Sequence, residues 1–168
     1  MNRSVSLTLT AEDYVAAHQL HQRDCFRRRG TRLTLLGYVI VLTIVFLTMA
    51  YLGHWMFGAI LVSLAAAASV AYGFAAYFLL VPFLARRAYR KHKALHHPYT
   101  YSWAEAGLTI ANVGGQWCVP WSDYLKWRED ARVFMFYQAP SLFNMLPKRV
   151  LTPEQVPDIR QYADRIVE

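Results

Sequence analysis

The chain has 168 residues, of which 55% are hydrophobic and only 17% are charged, too apolar a composition for an ordinary soluble domain of this size. The net charge of +7 would suit a nucleic-acid-binding protein, but the excess of basic residues lies only beside the apolar segments. Neither polar part of the chain has the basic face that binding to a phosphate backbone requires, so no nucleic-acid partner is expected.

The first 32 residues are predicted to form a short strand and a juxtamembrane helix. Polar and apolar residues alternate from Ser4 to Thr8, as in a half-buried strand. Thr10 then stands at a helix N-cap position, and the helix can run to an Arg-rich step over residues 23–32. We expect the strand to add to the C-terminal sheet, which makes the following hairpin an insertion within one folded unit.

The middle of the chain is predicted to cross a membrane twice. Residues 33–85 contain no Asp, Glu, Lys or Arg. One helix of this length would measure about 80 Å, against a hydrocarbon core of about 30 Å, so the segment must fold back. We predict transmembrane helices over residues 33–51 and 59–81, joined by a connector over 52–58. Neither span has a polar face, so a buried hairpin of a soluble protein is the less favoured alternative.

Basic clusters flank both spans and predict their orientation. Ten basic residues and one acidic residue give these flanks a net charge of +9, whereas the connector contains no Lys or Arg. The positive-inside rule places both termini on the cytoplasmic side of a bacterial inner membrane, against its anionic leaflet. The residues expected at the membrane surface are Arg27, Arg28, Arg29, Arg86, Arg87, Arg90 and Lys91.

Small residues in the second span predict a helix-packing face. Ala65, Ser69 and Gly73 are four residues apart, a spacing that lets helix backbones approach closely. This row is expected to pack on the first span near Gly37, with a homodimer as the alternative. Because neither span contains a charged residue, a transporter or channel built from this chain alone is not expected.

After a basic juxtamembrane segment over residues 82–98, residues 99–168 are predicted to form a small cytoplasmic domain. Its strands are expected as a meander over 99–103, 108–111, 116–119, 124–128, 133–137 and 142–146. A closing helix follows, with Thr152 at the N-cap, Pro153 at the first helical position and Gln155 at the capping-box position. The apolar stripe expected to lie on the sheet comprises Val156, Ile159, Tyr162, Ala163 and Ile166.

Histidines and carboxylates give weak signals for chemistry. His18 and His21, and likewise His92 and His96, have spacings that place each pair on one helix face, but no further ligand completes a metal site. The close carboxylates at residues 123, 129 and 130 lie at turns without a His or Ser arrangement around them. We therefore expect no enzyme, no metal and no cofactor.

The order of motifs resembles the YcxB-like family over nearly the whole chain. The motifs are Leu9-Thr10-x-Glu12-Asp13-Tyr14, Gly107-Leu108, Pro120-Trp121-Ser122-Asp123-Tyr124, Leu146-Pro147-Lys148-Arg149 and Thr152-Pro153-Glu154-Gln155. The resemblance implies a bacterial inner-membrane protein with a pleckstrin-homology-like (PH-like) domain, a curved sheet closed by one helix. It implies no activity.

The expected fold is thus a membrane α+β fold, a two-helix transmembrane hairpin with a small cytoplasmic PH-like antiparallel sheet. Trp121 and Trp117 are expected mainly to fill the core of the sheet or its membrane-facing edge, and Lys148 and Arg149 to form a solvated pair near the membrane. The alternative makes Lys148 and Arg149, with Trp121, the candidate contacts for an anionic group or a partner protein. The favoured function is a membrane-anchored cytoplasmic binding or signalling module. The alternative is an immunity-type membrane protein that protects against a pore-forming toxin.

Overall fold

The computed structural model describes residues 3–27 and 29–166, without the side chains of residues 27 and 29. The helices are α1 (Ala11–Arg27), α2 (Arg29–Tyr51), α3 (Trp55–Ala75), α4 (Val81–Lys91) and α5 (Gln155–Ala163). The strands are β1 (Ser4–Thr8), β2 (Pro98–Ala104), β3 (Gly107–Asn112), β4 (Gly115–Val119), β5 (Lys126–Glu129), β6 (Val133–Ala139) and β7 (Leu142–Pro147). The chain divides into a sheet unit, residues 3–20 with 84–166, and a hairpin unit, residues 21–83.

Among the described residues, two helices are long and apolar enough to cross a membrane. The first is α2, and the second runs without interruption from Trp55 to Lys91 through α3 and α4. No residue in the most apolar stretch of either helix is buried. Between α3 and α4 the chain forms a π-helical turn, Ala76–Leu80, in which the Val81 N–H donates to the Ala76 carbonyl. Pro82 follows directly, and this widened turn accommodates a ring that would clash with a carbonyl in a regular α-helix.

The connection between the two apolar helices is shorter than predicted. The structure has α2 ending at Tyr51, as expected, but α3 begins at Trp55 instead of residue 59, which leaves only residues 52–54 between them. Gly53 adopts a φ of +80°, and this left-handed conformation reverses the chain within three residues. The second helix also continues ten residues beyond the predicted end at residue 81.

The sheet unit contains two antiparallel sheets. The first has the strand order β1-β2-β3-β4 and the second has the order β5-β6-β7. β1 pairs with β2 in the register Ser4↔Ser102 to Thr8↔Pro98, which confirms that the N-terminal strand joins the C-terminal sheet. The expected continuous meander is wrong between β4 and β5, where Pro120 and a 3₁₀ turn interrupt the ladder because proline has no N–H to donate.

The core of the sheet unit lies around β6 and α5. Five consecutive residues of β6, Val133 to Tyr137, are fully buried, so both faces of this strand are covered. The predicted stripe of α5 is confirmed: Ile159, Tyr162, Ala163 and Ile166 are buried and Val156 packs beside them. The capping box is also formed, because the Thr152 N–H donates to Gln155 Oε1 at 2.9 Å and the Gln155 N–H donates to Thr152 Oγ1 at 3.3 Å. The regular helix begins only at Gln155.

Candidate functional site

Lys148 and Arg149 follow β7 in a 3₁₀ turn, Lys148–Val150, where the Lys148 N–H donates to the Arg132 carbonyl at 2.8 Å. Their side chains reach different partners. Arg149 contacts the N-terminal end of α1, whereas Lys148 contacts the end of β5. The two cations are adjacent in the sequence and were predicted to form one site. In the structure, each of them forms a separate ion pair.

Arg149 binds Asp13 through two nearly parallel hydrogen bonds. Its Nε donates to Oδ1 at 2.9 Å and its Nη2 donates to Oδ2 at 2.6 Å, while Nη2 also donates to the Thr8 carbonyl at 3.0 Å. Asp13 also accepts from the Thr10 N–H at 2.8 Å, and Thr10 Oγ1 accepts from the Asp13 N–H at 3.2 Å, which completes a capping box at the start of α1. Burial alone would raise the pKa of Asp13, but the hydrogen bonds from Arg149 and Thr10 outweigh it and lower the pKa below its ordinary value.

Lys148 shares one carboxylate with a second cation. Its Nζ lies 3.3 Å from Glu129 Oε2 and 4.6 Å from the centre of the Phe134 ring. Arg160 of α5 donates through Nε to both oxygens of Glu129 at 3.0 Å. Burial would raise the pKa of Glu129, but the hydrogen bond from Arg160 and the charge of Lys148 lower it overall. Glu129, and to a smaller extent Asp164, raise the pKa of Arg160, so two carboxylates lie near the two cations.

Trp121 does not join these cations at the surface. Its side chain is 4% exposed, stacks on Tyr162 of α5 with ring centres 6.1 Å apart, and donates from Nε1 to the Ala104 carbonyl at 2.8 Å. The indole thus fills the core between the sheet and α5. This agrees with the core position favoured for Trp121 from the sequence, and the alternative role as a partner contact has no exposed ring to support it.

Asp158 accepts hydrogen bonds from two distant side chains, and it was not identified as a candidate from the sequence. Arg3 donates to both of its oxygens, at 3.0 and 3.1 Å, and Trp103 Nε1 donates to Oδ2 at 2.7 Å. The hydrogen bond from Arg3 is the main cause of the lowered pKa of Asp158. This one carboxylate connects α5 to β2 and to the residue that precedes β1. No local pattern marks it, since its partners are distant in sequence.

The predicted membrane-surface cluster of α4 is exposed. Arg86 donates to Glu12 Oε1 at 2.9 Å, and both side chains remain largely accessible. The other predicted residues of α4, all of them exposed, are Arg87, Arg90 and Lys91. In the preceding cluster, Arg28 lies outside the described residues, as do the side chains of Arg27 and Arg29.

The predicted packing row of α3 contacts α2 at one end. Ser69 Oγ donates to the Ala65 carbonyl at 2.7 Å, so the Tyr38 hydroxyl, 2.8 Å from Ser69 Oγ, acts as the donor to it. At Gly73, in contrast, no atom from outside the adjoining backbone of α3 lies within 4 Å of where a Cβ would stand. The row therefore meets α2 at Ser69 and is open at Gly73.

The closest glycine approach between the apolar helices is elsewhere than expected. A Cβ at Gly58 would lie 2.8 Å from Met49 Cβ, whereas a Cβ at Gly37 would meet nothing within 4 Å. The sequence placed Gly58 in the connector, and for that reason its packing role was missed. Backbone contact between α2 and α3 thus depends on Gly58 and not on Gly37.

The histidines have aromatic and local partners. The His18 ring meets Tyr14 edge-on at 4.5 Å, and the His96 ring stacks on Tyr89 at 4.7 Å. His21 Nε2 lies 3.6 Å from Cys25 Sγ. Within residues 3–27 and 29–166, no group of three His, Cys, Asp or Glu side chains is arranged to hold a metal ion.

The predicted motifs of the sheet unit lie in its two sheets, at α5 and around the buried Trp121. Residues 103–163 match the family model described as YcxB-like protein. The resemblance is confirmed over this YcxB-like region, which includes Pro120 to Tyr124 and Leu146 to Arg149. The match does not extend to the N-terminal motif or to the apolar helices, although Arg149 of the YcxB-like region binds Asp13 of that motif. Neither the curated proteins nor the solved structures include a match to the chain.

Proposed function

We propose that the chain is a bacterial inner-membrane protein whose hairpin unit crosses the bilayer and anchors the sheet unit as a cytoplasmic binding or signalling module. The pairing of β1 with β2 carries this proposal. Residues before and after the hairpin belong to one sheet, so both must lie on the same side of the membrane and the chain must cross it an even number of times. Two helices of sufficient length satisfy that condition.

The charge distribution supports the cytoplasmic side for the sheet unit. The flanks of the hairpin carry a net +9, and residues 52–54 between the helices carry no Lys or Arg. The positive-inside rule therefore orients the connection away from the cytoplasm. A sheet of four strands and a sheet of three strands, closed by one C-terminal helix, support a PH-like design for the unit.

Thiol labelling in spheroplasts tests this topology. Leu52→Cys, in a chain that also carries Cys25→Ser and Cys118→Ser, should react with a membrane-impermeant maleimide in intact spheroplasts. The matched chain that keeps only Cys118, which is exposed on β4, should react only after permeabilisation. Reaction of Cys118 in intact spheroplasts, or release of the protein by alkaline carbonate, would contradict the proposal.

We place the binding role of the module at Lys148 and Arg160, the two cations around Glu129. An anionic group of a partner can approach Arg160, whose side chain is 44% exposed, while Glu129 keeps both cations in place. Chemical crosslinking followed by purification in detergent tests this role. A partner of the module should be lost from Lys148→Gln/Arg160→Gln and kept by Arg87→Gln. Crosslinks confined to α2 and α3 would favour the immunity-type alternative.

A further inference from the structure

We propose that the hairpin unit holds one anionic phospholipid in a groove between its helices, with the headgroup phosphate at Arg23 and an acyl chain beside Gly73. This inference rests on the proposed insertion into a bilayer. It goes beyond general contact with lipid, because it assigns a site and a headgroup charge.

The groove is formed by three helices of the hairpin unit. Its volume is about 770 Å³, within the range of small-molecule sites, and its walls are mainly apolar. The lining includes Gln22 and Phe26 of α1, Leu35 and Tyr38 of α2, and Ser69 and Gly73 of α3. Tyr38 joins α2 to α3 at Ser69, and the lining also includes Phe26 and Thr34, which lie within and just after the Arg-rich step in sequence. The open space at Gly73 gives an acyl chain a place along α3.

The cation proposed to hold the phosphate is adjacent in sequence to a residue that lines the groove. The Arg23 guanidinium is 6.0 Å from the centre of the Tyr77 ring, and the sequence neighbours of these residues, Gln22 and Ala76, both line the groove. Residues 21–34 carry a net charge of +4. This charge complements a phosphate at the depth where lipid headgroups meet the ends of transmembrane helices.

Gln22 adds a second polar feature. Its Oε1 atom is buried and has no hydrogen-bond partner among the described residues. Gln22 lines the groove, so a rotation of its amide brings this acceptor within reach of the hydroxyls of a glycerol headgroup, which are donors. A second copy of the chain fits these features less well, because residues 33–85 contain no acidic side chain to neutralise Arg23.

Native mass spectrometry of protein released from nanodiscs tests the site. Nanodiscs of equal parts phosphatidylglycerol and phosphatidylcholine should give a protein that retains one phosphatidylglycerol, with about a tenfold preference, the scale of one charge-assisted hydrogen bond. Arg23→Gln should remove the preference, and Gly73→Phe should reduce retention of both lipids by filling the groove. Arg87→Gln and Ala67→Phe, which change residues outside the groove lining, should behave as the unaltered chain does.

Three outcomes would overturn the assignment. Equal retention of the two lipids by the unaltered chain would exclude a charge-selective site. An equal loss in Arg87→Gln and Arg23→Gln would exclude Arg23 as the specific contact, and a dimer that only Gly73→Phe dissociates would show that a second copy covers the groove. Failure of the protein to enter nanodiscs would contradict the proposed function as well, whereas insertion without lipid preference would contradict this inference alone.

Discussion

Arg149 and Asp13, 136 positions apart in the sequence, form a two-pronged ion pair in which both carboxylate oxygens accept from one guanidinium. Asp13 precedes the hairpin and Arg149 follows the last strand. The pair therefore connects the two separate stretches of chain that make up the sheet unit.

We expect Arg149→Ala to lower the free energy of unfolding by about 2 kcal/mol, because it leaves a largely buried carboxylate without its cation. Asp13→Asn should cost less, and the double variant should cost clearly less than the sum of both. Urea unfolding in mild detergent, followed by tryptophan fluorescence, measures these values, with Arg87→Ala as the exposed control. Strict additivity of the two changes would exclude a direct coupling.

The ion pair between Asp158 and Arg3 should make the stability of the protein depend on pH. The hydrogen bond from Arg3 lowers its pKa in the folded chain below the ordinary value of 3.8. The unfolded chain therefore takes up the proton first as the pH falls, so the stabilisation is complete above the ordinary pKa and is lost through the lower, folded pKa. Unfolding free energy measured from about pH 6 to about pH 2 should fall less steeply for Asp158→Asn than for the unaltered chain. Parallel curves would contradict this assignment.

Gly107 should tolerate no side chain. Its φ of +152° is unfavourable for other residues, and a Cβ would clash with the backbone of Val119 on the neighbouring strand. We expect Gly107→Ala to lower stability by about 3 kcal/mol or more, because backbone strain adds to the clash of the new Cβ with the Val119 carbonyl. Gly115→Ala is the matched control, since Gly115 has a φ of +143° but open space around it. Equal losses in both variants would show that the contact with Val119 is unimportant.

In the apolar helices, replacement of Gly58 by alanine should lower stability, whereas the same change at Gly37 should not. Alanine normally stabilises a helix relative to glycine by up to about 1 kcal/mol. At Gly58, however, the new Cβ would stand 2.8 Å from Met49 Cβ and would push α2 and α3 apart. Thermal unfolding in detergent should give a lower Tm for Gly58→Ala and an unchanged or higher Tm for Gly37→Ala. A higher Tm in both would contradict the packing described here.

Much of the secondary structure was predictable because its signals are local. The alternation in β1, the β-branched and aromatic run of β6 and the Thr152–Gln155 capping box each depend on a few neighbouring residues. The start of α3 was not predictable in this way. Gly53 and Gly58 both looked like connector residues, and only the chain reversal at Gly53 assigns Gly58 to the helix.

The candidate site was only partly predictable, for a related reason. Lys148 and Arg149 were identified from their motif, but a cation in a sequence does not reveal which carboxylate it will meet. The folded strands and α5 bring Glu129 close to Lys148 and Arg160. They also bring Asp158 close to Arg3. These ion pairs join residues that no motif connects. Trp121 was expected in the core of the sheet or at its membrane-facing edge, and the structure buries it against α5.

The sequence by itself determined the two long apolar helices, the basic flanks and the YcxB-like region, because length, composition and motif order are properties of contiguous residues. Only the tertiary structure decided that β1 pairs with β2 across the inserted hairpin, that Arg149 belongs to Asp13, and that Gly58 carries the close helix contact. These features join residues far apart in the chain, and their partners are selected by packing and burial, which no local stretch of sequence encodes.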